Sequence, residues 1–145
     1  MKALVQRVKH ARVTVEDVLV GEIAFGMLVF VGIDAHDTEH SVEVLTDRLL
    51  KYRVFADEQG KMNLNIGQAE GGILLVSQFT LSADTRKGLR PGFSTAATPE
   101  QGKRLFNRVV ERIQSQHSPV ATGRFGAEMQ VSLVNDGPVT FLLEN

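Results

Sequence analysis

Two short stretches of this chain carry groups suited to acyl chemistry. Ser77-Gln78-Phe79-Thr80-Leu81 follows an apolar run and offers two hydroxyls, a carboxamide and a row of backbone N–H groups. Donors aimed at an oxygen that gains negative charge lower an acyl-transfer barrier by about 2.7 to 4 kcal/mol each. Such help suffices for an already activated ester and falls short for an amide. Near the C-terminus, Asn135-Asp136-Gly137-Pro138-Val139-Thr140 sets a Gly-Pro pair between apolar stretches. Glycine admits backbone angles that other residues avoid, while proline fixes φ and removes a donor, so the pair holds carbonyl oxygens in a rigid arrangement. Rigid backbone judges shape rather than charge. On the residues alone a plainer account stands beside each. Ser77 to Leu81 reads equally as a strand end with Phe79 and Leu81 packed inward, and Gly137-Pro138 as a tight hairpin corner, which physics alone favours.

The usual catalytic side-chain sets are missing. Without cysteine there is no thiolate nucleophile, no disulfide and no Cys-containing zinc site. Among the four histidines only His36 and His40 have helix-face spacing, and no second pair with a carboxylate completes a metal ligand set. A solvated or capping role at a helix entrance accounts for them; His10 and His117 stand alone. No metal and no cofactor are expected. The chain also lacks a Gly-x-Ser-x-Gly elbow, a Walker-type loop and a dinucleotide fingerprint. Its net charge of -1 argues against coating nucleic acid by charge alone. Two local clusters stand out: Lys2, Arg7, Lys9, His10 and Arg12 in the first strands, and Arg86, Lys87 and Arg90 in a loop with Gly and Pro, where a phosphate-bearing ligand would fit.

The elements that must position these residues are legible in outline. At 145 residues the chain fits a single domain over 1–145, since a chain of that size buries roughly 68 to 70% of its unfolded surface. Apolar and charged fractions of 43% and 23% are ordinary for a globular protein, and no apolar run approaches the roughly 20 residues of a membrane span. The opening Met1 to Arg7 lacks the features of a secretory signal, so a cytoplasmic location is expected. Val5 to Val8, Val13 to Val15, Val18 to Ile23 and Met27 to Ile33 read as strands. From about Thr38 to Lys51 the apolar residues Val42, Leu45 and Leu49 give an amphipathic helix, with Val44 and Leu50 widening its stripe. Ile73 to Thr80 reads as a second buried strand, placing Ser77 to Leu81 at its C-terminal end. Ser82 to Ala97 shows no period and reads as a long functional loop. Thr98-Pro99-Glu100-Gln101 has the chemistry of a helix start with a capping box, and Leu105, Phe106, Val109, Val110 and Ile113 form the apolar face that follows. Met129 to Val134 and Val139 to Leu143 read as two closing strands joined at the Asn135 to Pro138 corner. The order ββββ-α-β-α-ββ predicts an α+β domain whose curved, partly closed sheet or barrel packs with two helices.

With these residues laid out, the chain resembles the D-aminoacyl-tRNA deacylases of the widespread bacterial and eukaryotic type. The resemblance runs end to end, through Met1-Lys2-Ala3-Leu4-Val5-Gln6-Arg7-Val8, Ser77 to Leu81, Gly123-Arg124-Phe125-Gly126-Ala127-Glu128-Met129 and Asn135 to Thr140. It implies a homodimeric hydrolase, with active sites at the subunit interface, that cleaves the ester between a D-amino acid and tRNA. Glycyl-tRNA, with no L side chain to reject, would also be cleaved. It implies further that the Gly137-Pro138 bond is cis and enters the partner's site to exclude L side chains, with Arg7 bracing the motif and Met129 beside the substrate. Ser77, Gln78, Phe79 and Thr80 would form the catalytic segment, with Thr80 as nucleophile or, as favoured here, polarising the ester with nearby amides while water attacks. Arg86, Lys87 and Arg90 become candidates for tRNA phosphates. A non-enzymatic nucleic-acid-binding module is the alternative.

Overall fold

The computed structural model describes residues 1–86 and 88–145. Strand β1 (Lys2–Val15) is its longest early element and the axis of the sheet. Its buried residues are Ala3 and Val5, then Val8, then Ala11, Val13 and Val15. A strand alternates faces every second residue. Ala3 and Val5 face the helices and Val8 the interior, as regular alternation requires, whereas Val8 and Ala11 share the interior face, so the phase changes between them. The pairing partner slips its register there, between Val8 and His10, as well as between Gln6 and Val8, where the extra residues are the partner's own. The two separate strands expected at Val5 to Val8 and Val13 to Val15 are therefore one strand interrupted by a bulge. A tight turn at Glu16 and Asp17, both at positive φ (49 and 63°), leads into β2 (Val18–Ile23), as the right-handed strand twist favours.

β3 (Gly26–Gly32) pairs antiparallel with the first half of β1. Helix α1 (Glu39–Lys51) crosses to β6 (Gly72–Ser77), which lies parallel to β3. On the way the chain forms a small hairpin, β4 (Phe55–Ala56) with β5 (Met62–Leu64). After β6, helix α2 (Pro99–Gln114) crosses to β7 (Val120–Thr122), parallel to β6. The strand order is β2-β1-β3-β6-β7, with β8 (Gln130–Glu144) on the other edge of β1. The sheet closes on itself almost completely: a Cβ on Gly21 of β2 would sit 2.3 Å from the Thr122 carbonyl of β7. Only a residue without a side chain lets the two backbones meet there.

Closure gives β3 and β6 two buried faces, as parallel strands with crossover helices require. Met27, Val29, Ile73 and Leu75 face outward against Leu45, Leu49, Leu105, Val109 and Ile113 of the helices. Leu28, Leu74 and Val76 face inward against Val8, Ala11 and Val13. The α+β fold with a nearly closed sheet and two helices is thus the one expected. Both helices begin where the sequence places them, with one difference in the capping box. Thr98 Oγ1 accepts the Gln101 N–H at 3.3 Å. The Gln101 side chain does not turn back to complete the box but donates to the carbonyls of Ala35 (3.2 Å) and Asp37 (3.1 Å). It thereby ties the start of α2 to the β3–α1 connection.

Two further expectations change, and three short strands were not anticipated. β6 ends at Ser77 rather than Thr80, and Phe79–Ser82 forms a 3-10 turn. Met129 to Val134 and Val139 to Leu143 are not two strands around a hairpin: both halves belong to β8 and pair with β1. The short strands β4, β5 and β7 carry too few residues for any alternation to show.

Under the end of β3 lies a charged cluster. Asp34 accepts from Lys2 Nζ at 2.7 Å and from the Met1 amine at 3.3 Å, while Asp37 accepts from that amine at 2.7 Å and from the Asp34 N–H at 2.7 Å. Burial pushes the Asp34 carboxyl up, but the hydrogen bond from Lys2, the neighbouring Ser82 hydroxyl and the amine charge outweigh it, so its pKa lies below the ordinary 3.8. A lowered carboxyl pKa contributes stability above the unfolded value, lost as pH falls through the folded one. We therefore expect the urea-unfolding free energy to decline below about pH 4, and Asp34→Asn to flatten that decline.

Candidate active site

The end of β6 is anchored before it turns away. Gln78 donates its N–H to the Val31 carbonyl at 2.8 Å, extending the ladder with β3, and Leu81 and Ala83 donate back to Gln78 (3.2 Å) and Thr80 (3.1 Å) to close the turn. The first N–H groups of such a turn have no partner within it. Those of Phe79 and Thr80 occupy that position. Ser77 and Gln78 are half-buried, Thr80 is exposed, and the Gln78 amide is hydrogen-bonded to Thr80 Oγ1. Phe79 does not pack inward as a strand end would have it: 60% of its surface is exposed. It leans on Phe93, ring centroids 5.1 Å apart.

Cavities flank this segment on both sides. One of about 320 Å³ runs from Ser77 and Phe79 to Phe93, Pro99, Gly102 and Phe125. The other, about 230 Å³, lies between Ser77, Gln78 and Phe79 on one side and Phe125, Met129 and Val131 on the other. Both are lined mainly by apolar groups. Sequence reasoning placed Met129 here but singled out neither Phe93 nor Gly102 for this site, and gave Phe125 no role. Gly102 had a signal: it is a glycine inside a helix, where it costs about 0.8 to 1.0 kcal/mol against alanine. A Cβ there would stand 3.5 Å from the Phe125 ring, an ordinary contact. Neither packing nor backbone demands glycine, so the space it leaves in the cavity is its evident effect.

Arg7, Gly137 and Pro138 form a separate group. Between the pairs Val8↔Asn135 and Gln6↔Thr140, β1 supplies one residue, Arg7, while β8 supplies four, Asp136 to Val139. The surplus loops out of the sheet. Its tip, Gly137 and Pro138, is exposed, joined by a cis peptide bond, with Gly137 at φ 134°. Arg7 lies beneath it, donating from Nε to the Asp136 carbonyl (3.0 Å) and from Nη1 to the Val54 carbonyl (2.9 Å). Asn135 clamps the loop from the side, accepting the Val139 N–H at 3.0 Å and donating to Thr140 Oγ1 at 2.9 Å.

Within one chain these two groups are kept apart by register. Arg7 is opposite Met27, and Met27 is opposite Ile73, so the loop lies at the start of β6. Ser77 is opposite Val31, at the other end. Four residues of strand separate Ile73 from Ser77, about 13 Å, before the lateral distance across two further strands is added. Of the loop cations, Arg86 is bidentate on Asp84, both contacts 2.9 Å, and this pairing holds the Asp84 carboxyl down to about 2. Arg90 is exposed, and Lys87 lies outside the described residues. Among the described residues there is no group of three His, Cys, Asp or Glu placed to hold a metal.

Residues 4–144 match the family described as D-Tyr-tRNA(Tyr) deacylase. The chain is 61% identical to a D-aminoacyl-tRNA deacylase of Marinomonas sp. (strain MWYL1), covering 99% of this chain and 100% of the relative. It is 59% identical to one of Stutzerimonas stutzeri (strain A1501), covering all of both. Among solved structures it superposes on a c-Myc DNA unwinding element binding protein with a TM-score of 0.96 at 40% identity, over 100% of this chain and 99% of the other. A probable eukaryotic D-amino acid tRNA deacylase shares the fold, with a TM-score of 0.85 at 16% identity over 98% and 97% of the two chains.

Arg7 supports the looped-out segment from beneath, so Arg7→Ala should remove about 1.5 to 3 kcal/mol, the range for hydrogen bonds to a charged group. Arg7→Lys should recover less than half, since an ammonium lacks the planar fork that reaches two carbonyls. Urea unfolding measures both, and faster exchange of the Val139 amide would report the local loosening.

Proposed function

The chain belongs to the D-Tyr-tRNA(Tyr) deacylase family, and we propose that all of it, residues 1–145, acts as one domain that hydrolyses D-aminoacyl-tRNA to free D-amino acid and tRNA. It is a hydrolase of the family whose curated relatives are named D-aminoacyl-tRNA deacylases. The observation that carries the detailed reading is the separation of the two motif groups. A loop held rigid by Arg7 and Asn135 presents two exposed residues, yet cannot meet Ser77 to Thr80 of its own chain. A second copy removes the difficulty. In the homodimer the partner subunit's Gly137 and Pro138 enter the cavity beside Gln78 and Phe79. β8 supports this arrangement, since among the described residues it pairs on one edge only and exposes Val134 (43%) and Leu142 (51%).

The chemistry then follows from backbone. The terminal base of the tRNA lies in the apolar cavity under Phe79, stacked on its aromatic walls, a mode indifferent to charge. The ester carbonyl faces the Phe79 and Thr80 N–H groups, which stabilise the negative oxygen that forms when water attacks. The ester C–O bond breaks and the proton passes to the departing ribose oxygen, assisted by the neighbouring 2′-hydroxyl. Thr80 polarises rather than attacks. Its hydroxyl is hydrogen-bonded to a carboxamide, and a carboxamide in either orientation is no base for the proton a nucleophile must lose. The partner subunit's Gly137 and Pro138 accept the substrate α-amino group and leave no room for an L side chain. Rejection of that kind tolerates any D side chain, and glycine too. If discrimination is roughly 10⁴-fold, it needs about 5.5 kcal/mol, which a clash with stiff backbone supplies readily.

Arg90 and Lys87, with Arg86 to the extent Asp84 releases it, take tRNA phosphates. The place of action is the cytoplasm; among the described residues no helix is long and apolar enough to cross a membrane. A second reading, a nucleic-acid-binding module without turnover, draws on the relative named for DNA unwinding element binding.

Turnover separates the two. At substoichiometric protein, D-tyrosyl-tRNA should be hydrolysed through many cycles and L-tyrosyl-tRNA should persist; protection of both esters would establish the binding module instead. Thr80→Val should keep its rate within about tenfold of wild type, whereas loss on the scale of a removed nucleophile would place Thr80 in covalent catalysis. Arg90→Gln should weaken tRNA binding across sequences and reduce the salt slope by about one.

A further inference from the structure

Behind the wall of the Phe79 cavity lies a larger one of about 600 Å³ that the reading above does not use. The two share their boundaries. The 3-10 turn gives Phe79 to the first cavity and Ser82 to the second, and the following loop gives Phe93 to the first and Ser94 and Thr95 to the second. Three residues of such a turn advance about 6 Å. A polymer with its last residue in the first cavity therefore has the second within reach of the residue before it.

The chemistry of the second cavity differs. Its charged groups are paired with one another: Lys2 Nζ with Asp34 at 2.7 Å, and Arg86 with Asp84 at 2.9 Å. Two cations and two carboxylates cancel, so a phosphate finds no unpaired cation between those pairs. His36 is exposed on the same lining. What remains is hydroxyl groups. Thr85 and Ser94 are exposed, and Thr95 is engaged by donating to the Ser82 carbonyl. Ser82 Oγ sits near enough to the Asp34 carboxylate to help hold it ionised, yet without full hydrogen-bond geometry. Among the described residues it is the buried side-chain polar atom left without a partner. A neutral site offering hydroxyls and carboxylate oxygens suits a ligand that both donates and accepts.

We propose that this cavity receives the ribose of the nucleotide preceding the terminal one and reads its 2′-hydroxyl through Thr85 and Ser94. This rests on the deacylase reading above and adds a source of preference for RNA that charge does not supply. A 2′-hydroxyl is donor and acceptor at once, and it is the group by which a protein tells RNA from DNA at one position.

Three substrates test it: D-tyrosyl-tRNA, the same tRNA with a single 2′-deoxynucleotide at the penultimate position, and 3′-D-tyrosyl-adenosine. The wild-type protein should show kcat/KM about tenfold lower on the deoxy substrate, the size of one net hydrogen bond. A Thr85→Val, Ser94→Ala double variant should reduce that ratio to less than about twofold, as a double-mutant cycle requires of directly coupled groups. Equal wild-type rates on the ribo and deoxy substrates would overturn the subsite while leaving the deacylase reading intact. So would a variant that keeps the full ratio, or one that loses as much on D-tyrosyl-adenosine as on tRNA. Wild type that cleaves none of the three would overturn both.

Discussion

A strand that carries four residues where its neighbour offers one must put the surplus somewhere. In β8 the four are Asp136 to Val139, three more than the neighbour's single residue, Arg7, can match. A loop of that kind, left to itself, exposes peptide groups to water and wanders. Here the guanidinium bonds to the Asp136 carbonyl on one side and to the Val54 carbonyl on the other, and Asn135 spans the base. The result is a stiff projection of Gly137 and Pro138 from an otherwise regular sheet. Its stiffness comes from groups behind it, so its outward face remains free to meet something else.

Register decides what that can be. Each strand pairing is an integer count of residues, and the counts put the projection beside the beginning of β6 and the Ser77 to Thr80 segment beyond its end. No side-chain motion closes a gap set by strand length. A rigid projection and a cavity, held apart in one chain, are the observations on which the proposed site shared between copies rests. The nearly closed sheet makes the separation firm, because β3 and β6 are packed on both faces and cannot slide.

How much of this was legible in the residues follows from the same facts. Near-continuous apolar runs at Met27 to Ile33 and Ile73 to Val76 announce strands buried on both faces. The Thr98-Pro99 start announces α2. What the residues concealed is phase. Lys9 and His10 interrupt the alternation of β1 and look like the end of a strand, when they mark a bulge that puts Ala11 on the same interior face as Val8. Gly137-Pro138 looks like a hairpin corner because local chemistry is the same for a hairpin and for a bulge; only the partner strand distinguishes them. Gln101 illustrates a third kind of miss, for its spacing fits a capping box, and a tertiary alternative, the carbonyls of Ala35 and Asp37, won the side chain. Ser77 to Thr80 stood out by their own groups, and resemblance to a family added Arg7 and Met129 as candidates, but neither brought out Gly102 or Phe93, which line a cavity beside that segment.

The proposed site of main-chain donors, a looped-out backbone and aromatic walls would also account for the chain's showing so few catalytic side chains. Selecting by handedness requires that the geometry around one carbon be fixed, while the side chain beyond it is left unjudged. Titratable groups serve that purpose poorly, since their ionisation and their flexible stems would make the boundary of the cavity vary with conditions. Peptide units held by hydrogen bonds at both ends do not vary in that way. Two charged groups sit in support of the backbone: Arg7 under the projection, and Lys2 with Asp34 under the end of β3. On the proposed mechanism, charge acts on the shape of the site and leaves the reacting carbon to the backbone.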